Sequence, residues 1–375
     1  MASLQDRLNK KMEALTIPFY VHFDLTYRCN LKCIHCYIPE KDRYPSSDHK
    51  RELASQNRTE FTTNEVFDIL DQLAECGALN ICFSGGEIFV RHDILDIIDY
   101  ARKKRFAVSL LTNGTIGLDD DVFRCISDFS ISSVNISVYS ANPEIHDSVT
   151  RTPGSFDKSI RTIELLSKAG TPIKLKCPIM KTNMRTFKSV AELAESYGTD
   201  LRFDTNLTVG MDGNTKPAQH RISDDGLKEY YSFAITEDDY NELKEVIDAK
   251  CEDILNENPC GASHFSCYIS PYGDVHPCVE IPINCGNLRE RSFKDIWETS
   301  EEMMAVRAIK KIDLRKCPDC PEPDYCNRCM GQAYTEHGDL LAPSAETCRN
   351  VKARSYIQNT VKQSKSDMNQ TIKAR

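Results

Sequence analysis

The stretch FYVHFDLTYRCNLKCIHCY, residues 19–37, joins a β-rich segment directly to three closely spaced cysteines. Its first eight residues are rich in aromatic and β-branched side chains and predict a strand. Cys29, Cys33 and Cys36 follow with three and then two residues between them, so that three thiols share one short loop. Three thiols leave a four-coordinate metal site one ligand short. The stretch therefore predicts a strand whose carboxyl end carries a metal or cluster site.

The segment at residues 19–26 is the first of six strand candidates that alternate with amphipathic helical stretches. The other five are LNICFS, FAVSLLT, SSVNISVY, PIKLKCPIM and TDLRFDT, and the last one ends at residue 205. Alternation of strands and helices predicts a parallel sheet with right-handed crossovers. Six such units predict an α/β fold, a partial (β/α)6 TIM-like barrel with its chemistry at the carboxyl ends of the strands.

The clearest helical signal is TTNEVFDILDQLAECG, residues 62–77. Thr62 and Glu65 have the spacing of a capping box, and Gly77 provides a stop. The helical period places one apolar face on Val66, Ile69, Leu70 and Leu73.

Two long polar stretches interrupt the alternating pattern. They are KDRYPSSDHKRELASQNRTEF, residues 41–61, and NLTVGMDGNTKPAQHRISDDG, residues 206–226. Both are predicted to be loops, and lids or substrate-binding segments are as compatible with them as plain surface loops are.

Composition limits the class of protein. The chain has 375 residues, 40% of them hydrophobic, which is enough for a sizeable core. It contains no run of apolar residues long enough to span a membrane and no signal peptide, which predicts a cytoplasmic protein that does not bind membranes. In that reducing compartment, 17 cysteines indicate metal or redox chemistry rather than disulfides. A net charge of −9 argues against nucleic-acid binding.

The domain organisation is predicted from shifts in composition. Residues 1–18 form an N-terminal extension, and residues 19–235 form the partial barrel. Residues 236–350 form a smaller domain, rich in cysteine, proline and glycine, that metal holds together. The basic residues 351–375 are predicted to be a solvated or frayed tail.

The spacing of the first three cysteines is compatible with two kinds of site. Cys29, Cys33 and Cys36 could bind three irons of a four-iron, four-sulfur cluster and leave the fourth iron open for an external ligand. A zinc site completed by His35 or by a distant residue is the alternative. Spacing alone leaves both open.

The wider pattern resembles the radical S-adenosylmethionine (radical SAM) superfamily. Besides the three cysteines, the chain has SGGE at 84–87, TNG at 112–114, Ser137 in the fourth strand and Arg151 shortly after it. In that family such positions bind the methionine, ribose and carboxylate groups of S-adenosylmethionine. The resemblance implies that the cofactor is bound by His35, Ser84, Gly85, Gly86, Glu87, Thr112, Asn113, Ser137 and Arg151.

The resemblance also implies the reaction. S-adenosylmethionine binds the open iron of a [4Fe–4S] cluster on Cys29, Cys33 and Cys36, and one electron cleaves its C5'–S bond. The resulting 5'-deoxyadenosyl radical abstracts a hydrogen atom from the substrate, while the protein orients and shields the reactants.

The second domain carries two further cysteine stretches, CGASHFSCYISPYGDVHPC at 260–278 and CPDCPEPDYCNRC at 317–329. By spacing alone, the second stretch is also compatible with a zinc knuckle. After a radical SAM core, however, the arrangement resembles the SPASM extension, which binds two auxiliary [4Fe–4S] clusters. The resemblance implies an inner cluster on Cys260, Cys267, Cys278 and Cys329 and an outer cluster on Cys317, Cys320, Cys326 and Cys348.

Among SPASM enzymes, the chain looks most similar to peptide maturases such as the pyrroloquinoline quinone peptide cyclase and the thioether-forming enzymes. The implied substrate is a ribosomally made peptide, and the implied electron donor is a flavodoxin or ferredoxin. Only about 20 residues precede the first strand, so a separate leader-recognition protein is expected. Two alternatives stay open: side-chain modification of a tetrapyrrole in heme-type biosynthesis, and a non-catalytic iron–sulfur protein that transfers electrons or acts as a sensor.

Overall fold

The computed structural model describes residues 4–116, 120–235, 256–317, 320, 326 and 328–373. The chain forms two compact units, the first made of residues 1–220 and 261–308 and the second of residues 221–260 and 309–375. Residues 261–308 therefore belong to the unit that contains the sheet, while the domain boundaries drawn from the sequence stay a prediction. None of the described helices is long and apolar enough to cross a membrane.

The first unit is built on one open, mostly parallel sheet, as the sequence predicts. All six predicted strands are present, and two short strands extend the sheet. Its order is β6-β5-β4-β3-β2-β1-β7-β8, and β8 alone runs antiparallel to its neighbour. The strands are β1 (Tyr20–Thr26), β2 (Asn80–Gly85), β3 (Ala107–Thr112), β4 (Ser133–Ser137), β5 (Ile173–Pro178), β6 (Asp200–Asp204), β7 (Ser266–Ile269) and β8 (Val275–His276).

The sequence did not predict the strands β7 and β8. β7 has four residues and β8 has two, too few for a period of two to be read. β7 pairs in parallel with β1, so the edge of the predicted barrel is extended by the chain that carries Cys267.

Helices cover the sheet in the first unit and make up most of the described second unit. In the first unit they are α1 (Leu4–Leu15), α2 (Glu40–Arg43), α3 (Ser47–Ser55), α4 (Thr63–Glu75), α5 (Ile94–Lys103), α6 (Asp120–Asp128), α7 (Pro143–Thr150), α8 (Ser155–Lys168), α9 (Phe187–Ser196), α11 (Phe293–Thr299) and α12 (Glu301–Ala308). In the second unit they are α10 (Asp224–Ala234), α13 (Met330–His337) and α14 (Ala345–Lys373).

Helix α4 confirms the clearest helical prediction. The Thr62 side chain accepts a hydrogen bond from the Glu65 amide, and the Glu65 carboxylate accepts one from the Thr62 amide, which completes the capping box. The four predicted apolar residues are the buried ones of this helix. Their burial in the main core fixes α4 against the sheet.

The prediction of a loop at residues 41–61 is wrong, because most of this stretch is helical. It contains the end of α2 and all of α3, and the Ser46 side chain caps α3 by accepting from the His49 amide. Neither helix has a buried residue, so no apolar stripe was available to reveal the helical period. In contrast, most of the second predicted loop, residues 206–226, lacks regular structure, although its last three residues begin α10.

Alternation along β1 separates a core face from a polar face. Val21, Phe23 and Leu25 are buried in the main hydrophobic core. His22 and Asp24 point to the opposite face of the sheet, because successive side chains alternate along a strand. The polar face continues to the carboxyl edge of the sheet, where the first cysteine loop begins.

In the second unit, residues 351–373 of the predicted tail are part of α14. The interpretation of this segment as wholly solvated is wrong for its first turns, because Val351, Ser355 and Gln358 are buried at helical spacing. Tyr231 of α10 also donates a hydrogen bond to Asn350 of α14, at 3.2 Å. The sequence did not predict this buried face of α14, because most of its residues are small or polar.

Candidate active site at the carboxyl edge of the sheet

The cysteine loop starts from a fixed position at the end of β1. The carboxylate of Glu60 accepts hydrogen bonds from the Thr26 hydroxyl at 2.6 Å, the Tyr27 amide at 3.1 Å and the Arg28 side chain at 3.1 Å. One carboxylate thus ties three consecutive residues in place. Cys29 follows directly, so its position is set by this anchor.

Gly85 and Gly86 let β2 lie directly against the stem of the cysteine loop. A Cβ atom on Gly85 would lie 2.0 Å from the Thr26 carbonyl oxygen, and one on Gly86 would lie 2.3 Å from that of Arg28. Gly85 also has a φ of +133°, which L side chains rarely adopt. The glycines therefore permit a close backbone contact, with the Gly86 amide donating to the Thr26 carbonyl at 2.8 Å.

The middle of the loop is held by the last turn of α7. The Lys32 amide donates to the Thr150 carbonyl and the Ile34 amide donates to the Val149 carbonyl, both at 3.0 Å. The last carbonyls of a helix have no hydrogen-bond donor within the helix, and here the amides of the cysteine loop supply those hydrogen bonds. Arg151 ends the helix in the left-handed region, with φ of 53°. This predicted cofactor ligand therefore lies beside the cysteine loop.

The thiols of Cys29, Cys33 and Cys36 lie close enough to influence one another electrostatically. Burial raises the pKa of Cys29 to about 11 and that of Cys33 to about 12, and neighbouring thiols add to both shifts. Burial also raises the pKa of Cys36. Because metal ligation needs thiolates, loading this site must release protons.

Asparagine side chains connect the cysteine loop to the end of β3. The Asn113 amide group donates to the Asn30 side-chain oxygen at 2.9 Å, and Asn30 donates to the Thr115 hydroxyl at 2.8 Å. The same Asn113 group is 3.9 Å from the Cys29 sulfur. The TNG stretch at 112–114 is therefore adjacent to the first thiol.

Glu87 is buried at the bottom of this edge and is only 1% exposed. Its carboxylate accepts hydrogen bonds from the Thr112 hydroxyl at 2.8 Å, the Asn113 amide at 2.7 Å and the Phe89 amide at 3.1 Å. Burial raises the pKa of Glu87, and these donors lower it in part. The carboxylate thus joins the ends of β2 and β3, and its Oε2 atom retains capacity to accept from a cation.

His35 and Tyr139 form the wall behind the thiols. Their rings meet edge to face with centroids 5.0 Å apart, and the Tyr139 hydroxyl lies 3.9 Å from the Cys33 sulfur. Ser137 hydrogen-bonds to Tyr139. Burial lowers the pKa of His35 to about 4, so the imidazole is neutral near pH 7, and its buried Nδ1 has no hydrogen-bond partner among the described residues.

A cavity of about 370 Å³ opens beside the loop in the first unit. Its charged lining residues are Lys41, Arg58, Asp42, Glu52, Asp212 and Asp274. Arg58 is already paired with Asp274 at 2.7 Å. The cavity wall is therefore acidic overall, with tyrosine and histidine side chains between the charges.

A buried hydrogen-bonded chain runs from the cavity wall to the polar face of β1. Tyr268 donates to Asp24 at 2.9 Å, so its contact with the Tyr27 hydroxyl at 2.8 Å is donated by Tyr27. His22 contacts the other carboxylate oxygen of Asp24 at 3.0 Å. Asp24 is fully buried, and both of its carboxylate oxygens have hydrogen-bonding partners.

The predicted outer set of thiols is brought together in the second unit. The pKa of Cys326 is raised to about 11 by burial, with contributions from Cys317, Cys348 and Cys320. The pKa of Cys348 is likewise raised, by burial and then by Cys317 and Cys320. Arg328 donates to the Cys317 sulfur at 3.3 Å. Four thiols and one cation thus share a small region.

The predicted inner set is divided between the two units. Cys260 and Cys329 belong to the second unit, where the Cys329 sulfur caps α13 by accepting from the Gln332 amide at 3.4 Å. Cys267 and Cys278 belong to the first. Cys267 is 3% exposed and lies in the main hydrophobic core together with Cys285. The assignment of this set stays a prediction.

Comparison with protein families decides between the interpretations left open by spacing. Residues 23–194 match the radical SAM superfamily, and residues 260–330 match the SPASM iron–sulfur cluster-binding domain. The chain is also 30% identical over 323 residues to the subtilosin biosynthesis protein AlbA of Bacillus subtilis, covering 84% of this chain and 67% of that protein. The chain belongs to the radical SAM superfamily. It is an enzyme, and the alternative of a non-catalytic iron–sulfur protein no longer applies.

Two other relatives of this radical SAM enzyme differ in what their names describe. The chain is 29% identical over 377 residues to the mycofactocin maturase MftC of Mycolicibacterium smegmatis, covering 96% of this chain and 91% of that protein. It is 26% identical over 345 residues to the AdoMet-dependent heme synthase of Methanosarcina barkeri, covering 86% of this chain and 94% of that protein.

The fold of this radical SAM enzyme is also found in a solved structure, that of Streptococcus suis SuiB bound to the precursor peptide SuiA. The TM-score is 0.69 at 15% identity, and the match covers 92% of this chain and 80% of that one. Similarity at this level of identity shows the fold, an open α/β partial barrel.

The residues of the first site fit the [4Fe–4S] cluster and S-adenosylmethionine that the family uses. None of the 16 described cysteines forms a disulfide, so the three thiols remain available as soft ligands. No three His, Cys, Asp or Glu side chains in the described part of the chain converge on one metal ion. A [4Fe–4S] cluster does not require three side chains to converge on one metal ion, because each thiolate binds a different iron atom.

Sequence analysis of this radical SAM enzyme missed Glu60 and Tyr139. Tyr139 follows β4 by two residues, and the rule that parallel strands end at one edge of the sheet could have identified it. Glu60 gave no such signal, because it lies in a polar stretch far from the cysteines in sequence.

Proposed function

We propose that this radical SAM enzyme modifies a ribosomally made peptide by abstracting a hydrogen atom from it. The proposal is supported by relatives named for mycofactocin maturation and subtilosin biosynthesis, and by a shared fold with an enzyme solved in complex with its precursor peptide. The observation in the molecule that carries it is the acidic cavity beside the cysteine loop.

We propose that Cys29, Cys33 and Cys36 hold the first cluster and that S-adenosylmethionine lies between the loop and the ends of β2, β3 and β4. When bound, the cluster and S-adenosylmethionine supply one electron and a carbon radical that removes a hydrogen atom from the substrate. Glu87 orients Thr112 and Asn113 and presents Oε2 to the amino group of S-adenosylmethionine. Arg151, beside the loop, offers its charge to the carboxylate.

The charge of the cavity favours a peptide over a tetrapyrrole. Its wall has four acidic residues and two basic ones, and because the Arg58–Asp274 pair cancels, Asp42, Glu52 and Asp212 remain against Lys41. Heme precursors carry several carboxylates, which such a wall would repel. A peptide segment with backbone amides and neutral or basic side chains suits these acceptors. A volume of about 370 Å³ accommodates a few residues of such a segment.

Two partners follow from this proposal. Each turnover needs one electron from outside the chain, for which a flavodoxin or ferredoxin is the expected donor. A separate leader-recognition protein would add contacts along the peptide beyond the small cavity. The number of thiols suggests that these partners meet the enzyme in the reducing cytoplasm.

The test is anaerobic incubation of the reconstituted enzyme with S-adenosylmethionine, a reductant and short peptides encoded by neighbouring genes. We expect one peptide to change mass in proportion to 5'-deoxyadenosine formed, and a Cys29→Ala control to leave it unchanged. In parallel, a carboxylated tetrapyrrole is offered to the same enzyme. Turnover of the tetrapyrrole with all peptides unchanged would replace the proposal by the heme-type reaction, which the relationship to the heme synthase favours.

A further inference from the structure

Arg43 lies beside the first cysteine loop, although no cofactor motif includes it. It ends the four-residue helix α2 and is held there because its amide donates to the Pro39 carbonyl at 3.1 Å. Its own carbonyl accepts from the Cys29 amide at 3.4 Å. The backbone of Arg43 is therefore joined to the first thiol residue.

The guanidinium of Arg43 has buried donors without acceptors. Its Nε and Nη1 atoms are inaccessible to water and have no hydrogen-bond partner within the described part of the chain. Two other buried or half-buried arginines of this unit are paired, Arg28 with Glu60 at 3.1 Å and Arg91 with Asp93 at 2.6 Å. A buried cationic donor without an acceptor is costly, which indicates that an anion absent from the protein chain completes the site.

The groups around Arg43 identify this anion. The Arg43 carbonyl accepts from the Cys29 amide, and the Arg43 guanidinium lies within electrostatic reach of the Cys29, Cys33 and Cys36 thiols. These are the three thiols assigned to the first cluster. A cluster bound by thiolates is negatively charged, and its sulfur atoms accept hydrogen bonds.

We propose that Arg43 is a positioning residue that donates N–H hydrogen bonds to sulfur atoms of the first cluster and raises its reduction potential. Reduction adds one negative charge to the cluster, and a fixed cationic donor stabilises the reduced form more than the oxidised form. The inference rests on the assignment of that cluster to Cys29, Cys33 and Cys36. Arg43 thereby makes the cluster easier for the external donor to reduce.

The test compares Arg43→Gln with Arg51→Gln in the full, reconstituted enzyme. Both changes remove one arginine from the first unit, but Arg51 is an exposed residue of α3 that pairs with Asp48. Samples are poised at a series of fixed potentials without substrate, and the reduced first cluster is quantified by electron paramagnetic resonance. The signal of the first cluster is identified as the part of the spectrum that changes when S-adenosylmethionine is added, because only this cluster keeps an open iron.

We expect Arg43→Gln to lower the ratio of reduced to oxidised first cluster about tenfold at a given potential, which equals about 59 mV for one electron. Arg51→Gln is expected to change this ratio less than about twofold, because an exposed charge is screened by salt. Equal ratios in the wild type and Arg43→Gln would overturn the proposal. So would weaker S-adenosylmethionine binding with an unchanged ratio, because Arg43 would then act on the cofactor rather than on the cluster.

If Arg43→Gln does not assemble the first cluster, Arg43→Lys is measured in its place. Lysine keeps the charge but lacks the planar fork of donors. Restored iron loading with an intermediate ratio would support the proposal, and loss of the cluster in both variants would contradict it. The experiment uses no substrate, so a failure to find a modified peptide leaves its result unaffected.

Discussion

The first cysteine loop and the outer cysteine set differ in the number of thiols and in how the chain holds them. The loop offers Cys29, Cys33 and Cys36, and its backbone is tied to the ends of α2 and α7. The outer set offers four thiols, one of them on the exposed Cys348. Three thiols leave one iron of a [4Fe–4S] cluster open, whereas four thiols complete its ligation.

Because of this difference in ligation, the two cysteine regions are suited to different functions. An open iron can bind S-adenosylmethionine, and the loop lies against Asn113 and the buried Glu87 at the site predicted for that cofactor. A fully ligated cluster suits electron transfer or the stabilisation of a small unit. We therefore expect damage to the two regions to separate radical formation from completion of the product.

The largest effect is expected from replacing Cys29, Cys33 and Cys36 together by Ala. The variant should retain about eight of about twelve irons, because one of three four-iron clusters is lost. Formation of 5'-deoxyadenosine should fall to the level of buffer, as measured by chromatography after anaerobic reduction. Retained cleavage of S-adenosylmethionine would assign the reaction to another cluster.

A second, more selective effect is expected from Cys317→Ala combined with Cys320→Ala. About eight irons should again remain, but 5'-deoxyadenosine should still form. The oxidised peptide should not, because a substrate radical that must lose an electron needs an acceptor, and the auxiliary clusters are the available ones. The measurement combines iron content, 5'-deoxyadenosine and peptide mass on the same samples.

The control for this variant is the fraction of folded protein, measured by circular dichroism. Normal product per folded enzyme would mean that the outer cluster only stabilises the second unit. The comparison of the two regions would then describe a reactive site and a structural one.

A smaller effect is expected from Glu87→Ala. Binding of S-adenosylmethionine should weaken by about 1.5–3 kcal/mol, the loss typical of a hydrogen bond to a charged group. Calorimetric titration measures it, with Glu192→Ala on the exposed face of α9 as the matched control. Unchanged affinity would limit Glu87 to holding Thr112 and Asn113 in place.

The smallest effect concerns His146, which supports the wall behind the thiols by accepting from the Tyr139 amide at 3.3 Å. Burial lowers the pKa of His146 to about 4, whereas the unfolded chain protonates near 6.5. Below pH 6.5 the unfolded chain binds a proton at His146 that the folded chain does not bind. The contribution of His146 to the free energy of unfolding is therefore fully present above pH 6.5 and decreases as the pH falls toward 4.

Between pH 7.5 and pH 5.5, His146 should account for a loss of about 1 kcal/mol in the free energy of unfolding. Urea unfolding of the wild type and of His146→Gln at both pH values measures this contribution, since the other histidines are common to both proteins. An identical loss in the variant would exclude His146 as its source.

The sequence predicted those parts of the fold that a strong period encodes. Strands β1 to β5 and α4 were recognised because each buries apolar side chains. Strand β6 has no buried residue, but its partly buried Leu201 and Phe203 alternate with exposed polar residues. Helix α3 was missed because it buries none, and β7 because four residues are too short to show a period. The spacing of apolar residues in a sequence reflects which side chains are buried. Elements that are very short or that bury few apolar side chains therefore cannot be recognised from that spacing.

The candidate site was predictable where it follows the strand ends and hidden where it depends on contacts distant in sequence. The cysteine loop, SGGE and TNG lie at the carboxyl ends of β1, β2 and β3, and their proximity follows from a parallel sheet. Glu60 reaches Thr26 across 34 residues, and the buried Nε and Nη1 atoms of Arg43 belong to a stretch whose polar sequence gives no sign of burial. Such residues become visible only when hydrogen-bond partners are known.

The most direct test of the account is the response of the reduced wild-type enzyme to S-adenosylmethionine. After anaerobic reconstitution, the account predicts about twelve irons per chain, and about one third of the reduced-cluster signal in the paramagnetic resonance spectrum should change when S-adenosylmethionine is added. This result would show one open cluster among three. Zinc in place of iron in the second unit, or a spectrum in which no cluster responds to the cofactor, would contradict it.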